Sequence, residues 1–301
     1  MRRLAQSTIV LLFVSLVIFV LPRLIASPAS ALLPPDATQA DVQRVEELWG
    51  LNRPLPIQYL AFLGNVLKGD FGESRVYSTQ AFSVILDRFP VTLSLSLAAL
   101  LLILPLGIGG GILAALHHAR PLDSGVRAVA LVLQSVPSFW LGIILINIVA
   151  VHLGLLPTSG TGNWMNYVLP AVTLATFPLA ALVRITRMSM LEVLDSDYVE
   201  FARSKGLPER TVILRHAVRN ALITPLTYLG FTLVALLTGS VIIETVFALP
   251  GVGLLAVQSI RAFDYSVAQA LILIFATICI VTNLIVDILY GIVDPRIINR
   301  R

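Results

Sequence analysis

The chain has 301 residues, 57% of them hydrophobic and only 13% charged, with a mean hydropathy of +0.88. A soluble domain would carry about 45–50% apolar residues, so this composition excludes a soluble protein and implies a membrane one. The net charge of +4 then reads as arginines gathered at one membrane surface rather than as an affinity for nucleic acid. A single cysteine, Cys279, sits in an apolar run as a small core residue, which excludes an internal disulfide and a cysteine metal cluster.

Met1-Arg2-Arg3 precede an apolar run from Ile9 to Val20, read as the first span, with residues 1–25 as an N-terminal transmembrane helix and the two arginines placing the N-terminus inside. A cleaved secretory signal is not expected, because no small-residue cleavage site follows cleanly and Pro22 and Arg23 interrupt the end. Residues 26–90 form a long polar extracytoplasmic segment. In it, Asp41 to Trp49 suggests a short helix stopped by Gly50, and Ile57, Leu60, Leu63, Val66 and Leu67 suggest a second, ended by Lys68-Gly69. That second piece is too short to cross, since a span needs about 20 apolar residues, and is expected along the membrane surface.

Val91 to Leu116 carries no charge and forms the second span, with Pro105 and the cluster Gly107, Gly109, Gly110 and Gly111. The cluster is no phosphate loop, because no Lys-Ser or Lys-Thr follows it. Gly107 and Gly111 are spaced for close helix packing instead. The loop His117 to Arg127 returns the chain on the inner side, and Ala128 to Leu156 crosses outward as the third span. Ser135 and Pro137 lie in its inner half, where the proline frees a backbone carbonyl, so this helix is expected to face neighbours or a cavity and these residues become candidates for a pathway or gate. An outer loop with Trp164 and Tyr167 precedes the fourth span, Leu169 to Val183, which Arg184 and Arg187 stop on the inner side.

Asp195 to Pro225 is the longest charged passage of the second half and reads as two short helices broken at a glycine. Asp197 is expected to cap the first, with Glu200 completing a capping box, while Tyr198, Phe201 and Ala202 form an apolar stripe. Gly206 closes that helix in left-handed geometry, and Pro208 with Glu209 suits the first turn of the next. On the second helix Val212, His216 and Asn220 fall four apart on one line, with Arg215 and Arg219 beside them. From the residues alone, this is either a solvated loop between membrane helices or a docking element for a cytoplasmic partner.

Ile223 to Ile243 is the fifth span. Its Thr238-Gly239-Ser240 group serves either helix packing or the lining of a substrate path. Glu244 at its outer end is costly to bury, about 2.5–3.5 kcal/mol at a bilayer centre, so an interfacial position and a pairing are expected, with substrate contact as the sharper role. Ser266 to Val286 is the sixth span; Asn283 and Asp287, four apart, offer either a bond between helices or a proton relay. Assigning the N-terminus, the 117–127 loop, the 184–219 region and the C-terminus to the inside places 14 of the 21 Lys and Arg there; six of the other seven belong to residues 23–88, a long segment where the positive-inside rule is weak, which leaves Arg261 alone in the shorter outer loops.

Glu200-Phe201-Ala202, three residues and then Gly206 resemble the EAA loop of ABC-transporter permeases. The general family continues with Ile-x-Leu-Pro after nine residues, whereas this chain has His216-Ala217-Val218-Arg219-Asn220-Ala221, which resembles the oligopeptide, dipeptide and nickel branch. Gly69-Asp70-Phe71-Gly72, Arg88 to Leu93, Glu244 to Gly253 and Asp294-Pro295-Arg296 resemble the same branch, although the Gly-Asp-Pro often found after the first span is missing around Ser27-Pro28-Ala29-Ser30. The resemblance covers residues 55–296. It implies an all-α polytopic membrane protein with six transmembrane helices, both termini cytoplasmic, in the type I ABC importer architecture. Residues 91–296 would form a five-helix permease core containing coupling helices at 195–222, followed by a cytoplasmic tail at 297–301. Coupling to an ATPase would rest on Asp197, Tyr198, Glu200, Phe201, Ala202, Lys205, Gly206, Arg215, His216, Arg219 and Asn220, and the pathway or gate on Ser135, Pro137, Thr238, Gly239, Ser240 and Glu244.

The resemblance further implies a second homologous permease subunit, two ATP-binding subunits and an extracytoplasmic solute-binding protein, in a bacterial or archaeal inner membrane. ATP and magnesium would be bound by those partners, with no cofactor, metal or nucleic acid on this chain. Peptides are the expected cargo, with glutathione or a nickel chelate as the alternatives. Two other classes fit less well. An intramembrane enzyme needs clustered catalytic groups, and His117, His118, His152 and His216 are neither clustered nor accompanied by acids at ligand spacing. A self-contained secondary transporter would carry buried charges for ion coupling, which are scarce here.

Overall fold

The structure, a computed structural model, describes residues 2–25, 38–48 and 50–293. The expectations placed on Ser27 to Ser30, Trp49, Asp294 to Arg296 and the 297–301 tail lie outside the described residues, as do the side chains of Asp287 and Tyr290. Among the described residues the regular structure is helical, apart from one isolated bridge between Glu73 and Gln80. Four uninterrupted helices are long and apolar enough to cross a membrane: α1 (Arg2–Ile25), α4 (Ala81–Leu116), α7 (Met165–Leu194) and α12 (Tyr265–Val293). Two bent pairs bring the number to six if each pair crosses once. They are α5 (Pro121–Ser135) with α6 (Ser138–His152), bent by 97°, and α9 (Glu209–Ala221) with α10 (Ile223–Val246), bent by 45°.

Three boundaries differ from the sequence reading, each for a physical reason. α4 begins at Ala81, ten residues before the expected start at Val91, because Asp87 and Arg88 are tolerated in a helix whose ends reach polar surroundings. α7 runs on through Arg184 and Arg187 to Leu194. At 1.5 Å per residue a 30-residue helix is about 45 Å long, well beyond the ~30 Å hydrocarbon layer, so the arginines end the apolar stretch without ending the helix. The third span is not one helix. Proline cannot supply the amide that would continue the ladder, and it pushes Val136 into extended geometry (φ −87°, ψ 125°), so α5 stops and α6 restarts from Pro137. The second half of α6, Ile146–His152, relaxes into a π-helical turn.

The chain divides into two compact units, Met1–Pro90 with Gly251–Val281, and Val91–Pro250 with Thr282–Arg301. In the first, α3 (Leu55–Leu67), expected along the membrane surface, docks on α1. The buried Phe19 ring meets Tyr59 edge-on at 5.4 Å and Phe62 at 5.6 Å, while the Arg23 guanidinium lies 3.6 Å above the Phe19 ring centre. α2 (Gln39–Leu48) is capped by Thr38, whose hydroxyl donates to Asp41 at 2.6 Å. That bond and the Thr38 amide hold the Asp41 carboxyl below the usual carboxylate range. The core of this unit joins Ala81, Val84 and Ile85 of α4 to Val252 and Leu255 of α11 (Val252–Arg261) and to Val267, Ala270 and Leu271 of α12. Asp264, buried before α12, accepts from the Ser74 hydroxyl and from the Val76 and Val267 amides, which ties the loop at 73–80 to the start of that helix.

The second unit is built around α7, whose buried residues run from Leu169 to Met190. Its core gathers Leu95, Ala99 and Ile103 of α4, Leu169, Leu174 and Leu182 of α7, and Leu229, Leu236, Ile243 and Phe247 in and after α10. Gly107 and Gly111 let α4 lie against α7, as their spacing predicts. A Cβ on Gly107 would meet Leu182 Cδ2 at 2.5 Å, and one on Gly111 would meet Thr186 Cβ at 2.5 Å and the Val183 carbonyl oxygen at 2.7 Å. Gly109 has nothing within 4 Å of that position. Gly111→Ala is therefore expected to lower stability by about 1–3 kcal/mol in thermal unfolding of the detergent-solubilised chain. In the same assay Gly109→Ala should be neutral or raise it by up to about 1 kcal/mol through helix propensity.

Candidate functional site

The charged passage at 195–222 folds as a compact helical module at the end of α7. α8 (Asp197–Ser204) is stopped where expected: Gly206 takes φ +76°, and its amide donates to the Arg203 carbonyl at 2.9 Å. The start of α8 differs from the capping box read from the sequence. Ser196, not Asp197, holds the N-cap position, and its hydroxyl turns back to the Val193 carbonyl, so Asp197 and Glu200 occupy the exposed first turn and oppose the helix dipole from there. Across the turn, Arg203 donates to Glu209 at 2.9 Å, and this partner keeps the Arg203 guanidinium charged, with its pKa raised.

α9 begins after Pro208, which stands at its N-cap, and then opens into a π-helical stretch from Val212 to Ala217. Wider turns of this kind put residues five apart on one line. The buried stripe is consequently Val212, Ala217 and Ala221, in place of the Val212, His216, Asn220 line expected from a regular helix. His216 is half-buried, while Arg215, Arg219 and Asn220 are exposed. The Asn220 side-chain amide donates to the Tyr198 hydroxyl at 3.0 Å and to the His216 carbonyl at 3.2 Å, which joins α9 to α8.

The module is packed inward by small residues and presents large ones outward. Val199, Ala202 and Val212 close on Val193 of α7, and Ala217 and Ala221 close on Met190 of α7 and Ala115 of α4. Ser189 donates to the Ala221 carbonyl at 2.7 Å. Outward stand Phe201, 60% exposed, Leu214, Tyr198 and Leu207, with Lys205 Nζ 4.5 Å over the Phe201 ring. Exposed aromatics beside cations on a rigid, hinge-closed pair of helices are what a protein partner can dock against.

Above the module, α7 carries a buried ion pair that sequence reasoning missed. Arg187 meets Asp123 of α5 in a two-pronged contact, Nε to Oδ1 at 2.6 Å and Nη2 to Oδ2 at 2.8 Å. Asp123 is wholly buried and Arg187 nearly so. The two are 64 residues apart, and nothing in the local pattern distinguishes Asp123 from an acid in a helix first turn.

The expected pathway residues fall on two stretches, the break between α5 and α6 and the C-terminal part of α10. Ser135 is exposed with its hydroxyl on the Leu131 carbonyl, and Pro137 stands at the break between α5 and α6. On α10, Thr238 is exposed and bonds the Val234 carbonyl, Gly239 follows it, and Ser240 is buried with its hydroxyl on the Leu237 carbonyl. Glu244 is fully buried within the chain, and the expected pairing is present, since the buried Thr92 hydroxyl donates to its carboxylate at 2.6 Å. Among the described residues no group of three or more His, Cys, Asp or Glu comes together as a metal site. Thr92→Val keeps the shape but removes the donor from a buried acid, so it should lower thermal stability by about 1.5–3 kcal/mol in detergent, while Thr92→Ser retains it.

Two family descriptions match this chain. Residues 107–299 match the binding-protein-dependent transport system inner membrane component, and residues 1–96 match the N-terminal part of the membrane component of such systems. A putative peptide transport system permease protein of Brucella abortus (strain 2308) is 40% identical over 306 residues, covering 99% of this chain and 98% of the relative. The oligopeptide transport system permease protein AppB of Bacillus subtilis (strain 168) is 39% identical with 98% of each chain covered. The glutathione transport system permease protein GsiC of Escherichia coli (strain K12) is 38% identical, with 95% of this chain and 94% of the relative covered. Among solved structures, the MetNI methionine ABC transporter in an inward-facing conformation superposes with a TM-score of 0.60 at 17% identity, over 70% of this chain and 96% of the other, which shows a shared fold. With its helical spans and its full-length likeness to permease proteins, the chain belongs to the family of binding-protein-dependent transport system inner membrane components, as a multi-pass permease subunit.

Proposed function

We propose that this chain is one of two permease subunits of an ATP-driven ABC importer for peptides. The observation that carries this reading is the outward face of the 195–222 module, where Tyr198, Phe201 and Leu214 stand exposed on two helices and Leu207 on the Gly206 turn that joins them. A pair of ATP-binding subunits docks there in this reading, and these hold ATP and magnesium. The module, the 117–127 loop and both termini face the cytoplasm of a bacterial or archaeal cell. The segment between α1 and α4 faces outward, where a solute-binding protein delivers cargo to this chain and a second, homologous permease.

Mechanically, closure of the ATPases on their nucleotide displaces α8 and α9. The displacement reaches α7 directly, because Met190 and Val193 are packed between the module and the membrane helices. Rigid-body motion of the spans then exchanges outward for inward access. Asp197, Glu200 and Lys205 form the exposed polar rim around Phe201, and Arg215, Arg219 and Asn220 that of α9. Ala202 is buried against Val199 and Val212, so its role is to let the two helices close. Peptides are favoured as cargo because the Brucella and Bacillus relatives are named for peptide transport. The glutathione permease among the relatives makes a small γ-linked peptide the alternative within the same mechanism.

Purification of the detergent-solubilised chain from its native membrane is expected to bring two ATP-binding subunits and a second six-span permease, with an ATPase activity that a di- or oligopeptide plus the binding protein stimulates. Stimulation by glutathione instead would move the cargo to the alternative, and recovery of the chain alone would overturn the importer reading. Gly206→Val should leave the chain in the membrane but uncouple hydrolysis from uptake, since φ +76° strains any β-branched residue although no atom lies within 4 Å of the added Cβ. Unchanged uptake per ATP would remove Gly206 from the coupling module.

A further inference from the structure

The Asp123–Arg187 pair lies about two turns of α7 before the start of the coupling module, and its surroundings are built to hold it in a single geometry. Arg187 is the donor of two parallel bonds to the Asp123 carboxylate. The Ala119 amide donates to the same carboxylate at 3.2 Å, presented by a backbone turn in which Ala119 takes φ +61°, and Arg127 Nε stands 3.4 Å from Oδ1. His118 stands beside the pair, its Nδ1 3.1 Å from Arg187 Nη2 and 3.5 Å from Asp123 Oδ2. Three residues before Arg187, Arg184 donates to Gln134 near the other end of α5.

Apolar contacts between helices allow a ridge to slip along a groove, because many registers bury similar surface. A two-pronged guanidinium–carboxylate contact does not, since its bonds exist in one register only. On α7 the same two turns that carry Arg187 also carry Thr186, against Gly111 of α4, and Met190, against Ala217 and Ala221 of α9. The end of α7 is thereby gripped on three sides: by α4 through a glycine contact, by the coupling module through alanines, and by α5 through the ion pair.

We propose that the Asp123–Arg187 ion pair is the strut that makes α5 follow the end of α7, so that displacement of the coupling module reaches the bent third span and its Pro137 break. The strut rests on the importer reading of this chain. In this reading Arg187 and Asp123 are positioning residues, which act through the helices they join.

The test uses the complete importer reconstituted in lipid vesicles, with ATP hydrolysis and peptide uptake measured together, and assembly checked by co-purification of the ATP-binding subunits. Asp123→Asn and Arg187→Lys are both expected to assemble and hydrolyse ATP, while uptake per ATP falls about tenfold, within the range of typical coupling energies. Arg187→Lys keeps the charge but not the fork, so it separates geometry from neutralisation. Normal uptake per ATP in Arg187→Lys alone would show that charge compensation suffices and overturn the strut. Normal coupling in both variants, or a parallel loss of assembly and hydrolysis with uptake per ATP unchanged, would also overturn it. If the wild-type importer hydrolyses ATP without peptide uptake, the importer reading fails first and the strut falls with it.

Discussion

How closely α4 can approach α7 governs the second unit. Within a bilayer, lipid tails are as apolar as leucine, so burial of hydrophobic surface gives helices little reason to associate, and dispersion contacts at short range must do it. Gly107 and Gly111 supply that short range, bringing the α4 backbone against Leu182, Val183 and Thr186 with no side chain between. The position of α7 then fixes everything that hangs from it. Arg187 reaches Asp123, Met190 reaches the alanines of α9, and Val193 reaches Val199 and Val212 only while α7 keeps that register. Small residues recur at each of these contacts, which is how helices without a solvent-driven force come to pack tightly.

Two ways of satisfying polar groups recur inside the spans, although the buried hydroxyls of Ser96 and Thr186 find no partner among the described residues. Hydroxyls of Thr173, Thr176, Thr232, Thr238 and Thr245 each bond the carbonyl four residues back, so they satisfy themselves within their own helix and add no demand on a neighbour. Glu244 cannot do so, being an acceptor, and its carboxylate is met across helices by Thr92. Among the described residues the spans are also interrupted at the Pro137 break, at the 45° bend between α9 and α10, and in the π-helical turns at Ile146–His152 and Val212–Ala217. Such turns lengthen a helix by one residue without a Pro or Gly and re-aim every side chain beyond them.

Much of the fold was legible because charge is so scarce. Uncharged runs between Ile9 and Val20, Val91 and Leu116, and Ile223 and Ile243 marked spans, and Gly206 followed by Pro208 marked a stop. Local pattern failed where a tertiary partner or a backbone irregularity decided the outcome. Pro137 signals a disturbance but not its 97° size, because proline is also accommodated in merely kinked helices. The stripe of α9 was misjudged because a regular period was assumed through a π-helical stretch, for which the sequence Val212 to Ala217 carries no signal. Ser196 took the N-cap position from Asp197, with its hydroxyl on the Val193 carbonyl, because both residue types suit that position and only the path of α7 chooses between them. Asp123 and Arg187 each looked like surface charges flanking a span, and only folding brings them together.

The irregular turn in α9 also explains how the module divides its labour. A regular helix over 209–221 would set Val212, His216 and Asn220 on one line, burying a histidine and an amide that have no apolar role. The wider turn substitutes Ala217 and Ala221, so the face toward α7 is made only of small apolar residues and can sit close to Met190 and Val193. Asn220, released to the surface, holds Tyr198 instead, and that bond stiffens the outward face at the point where Phe201 projects. Close contact on one side and a fixed aromatic surface on the other are the two properties a helix pair needs if a push from outside the membrane is to arrive at α7 undiminished.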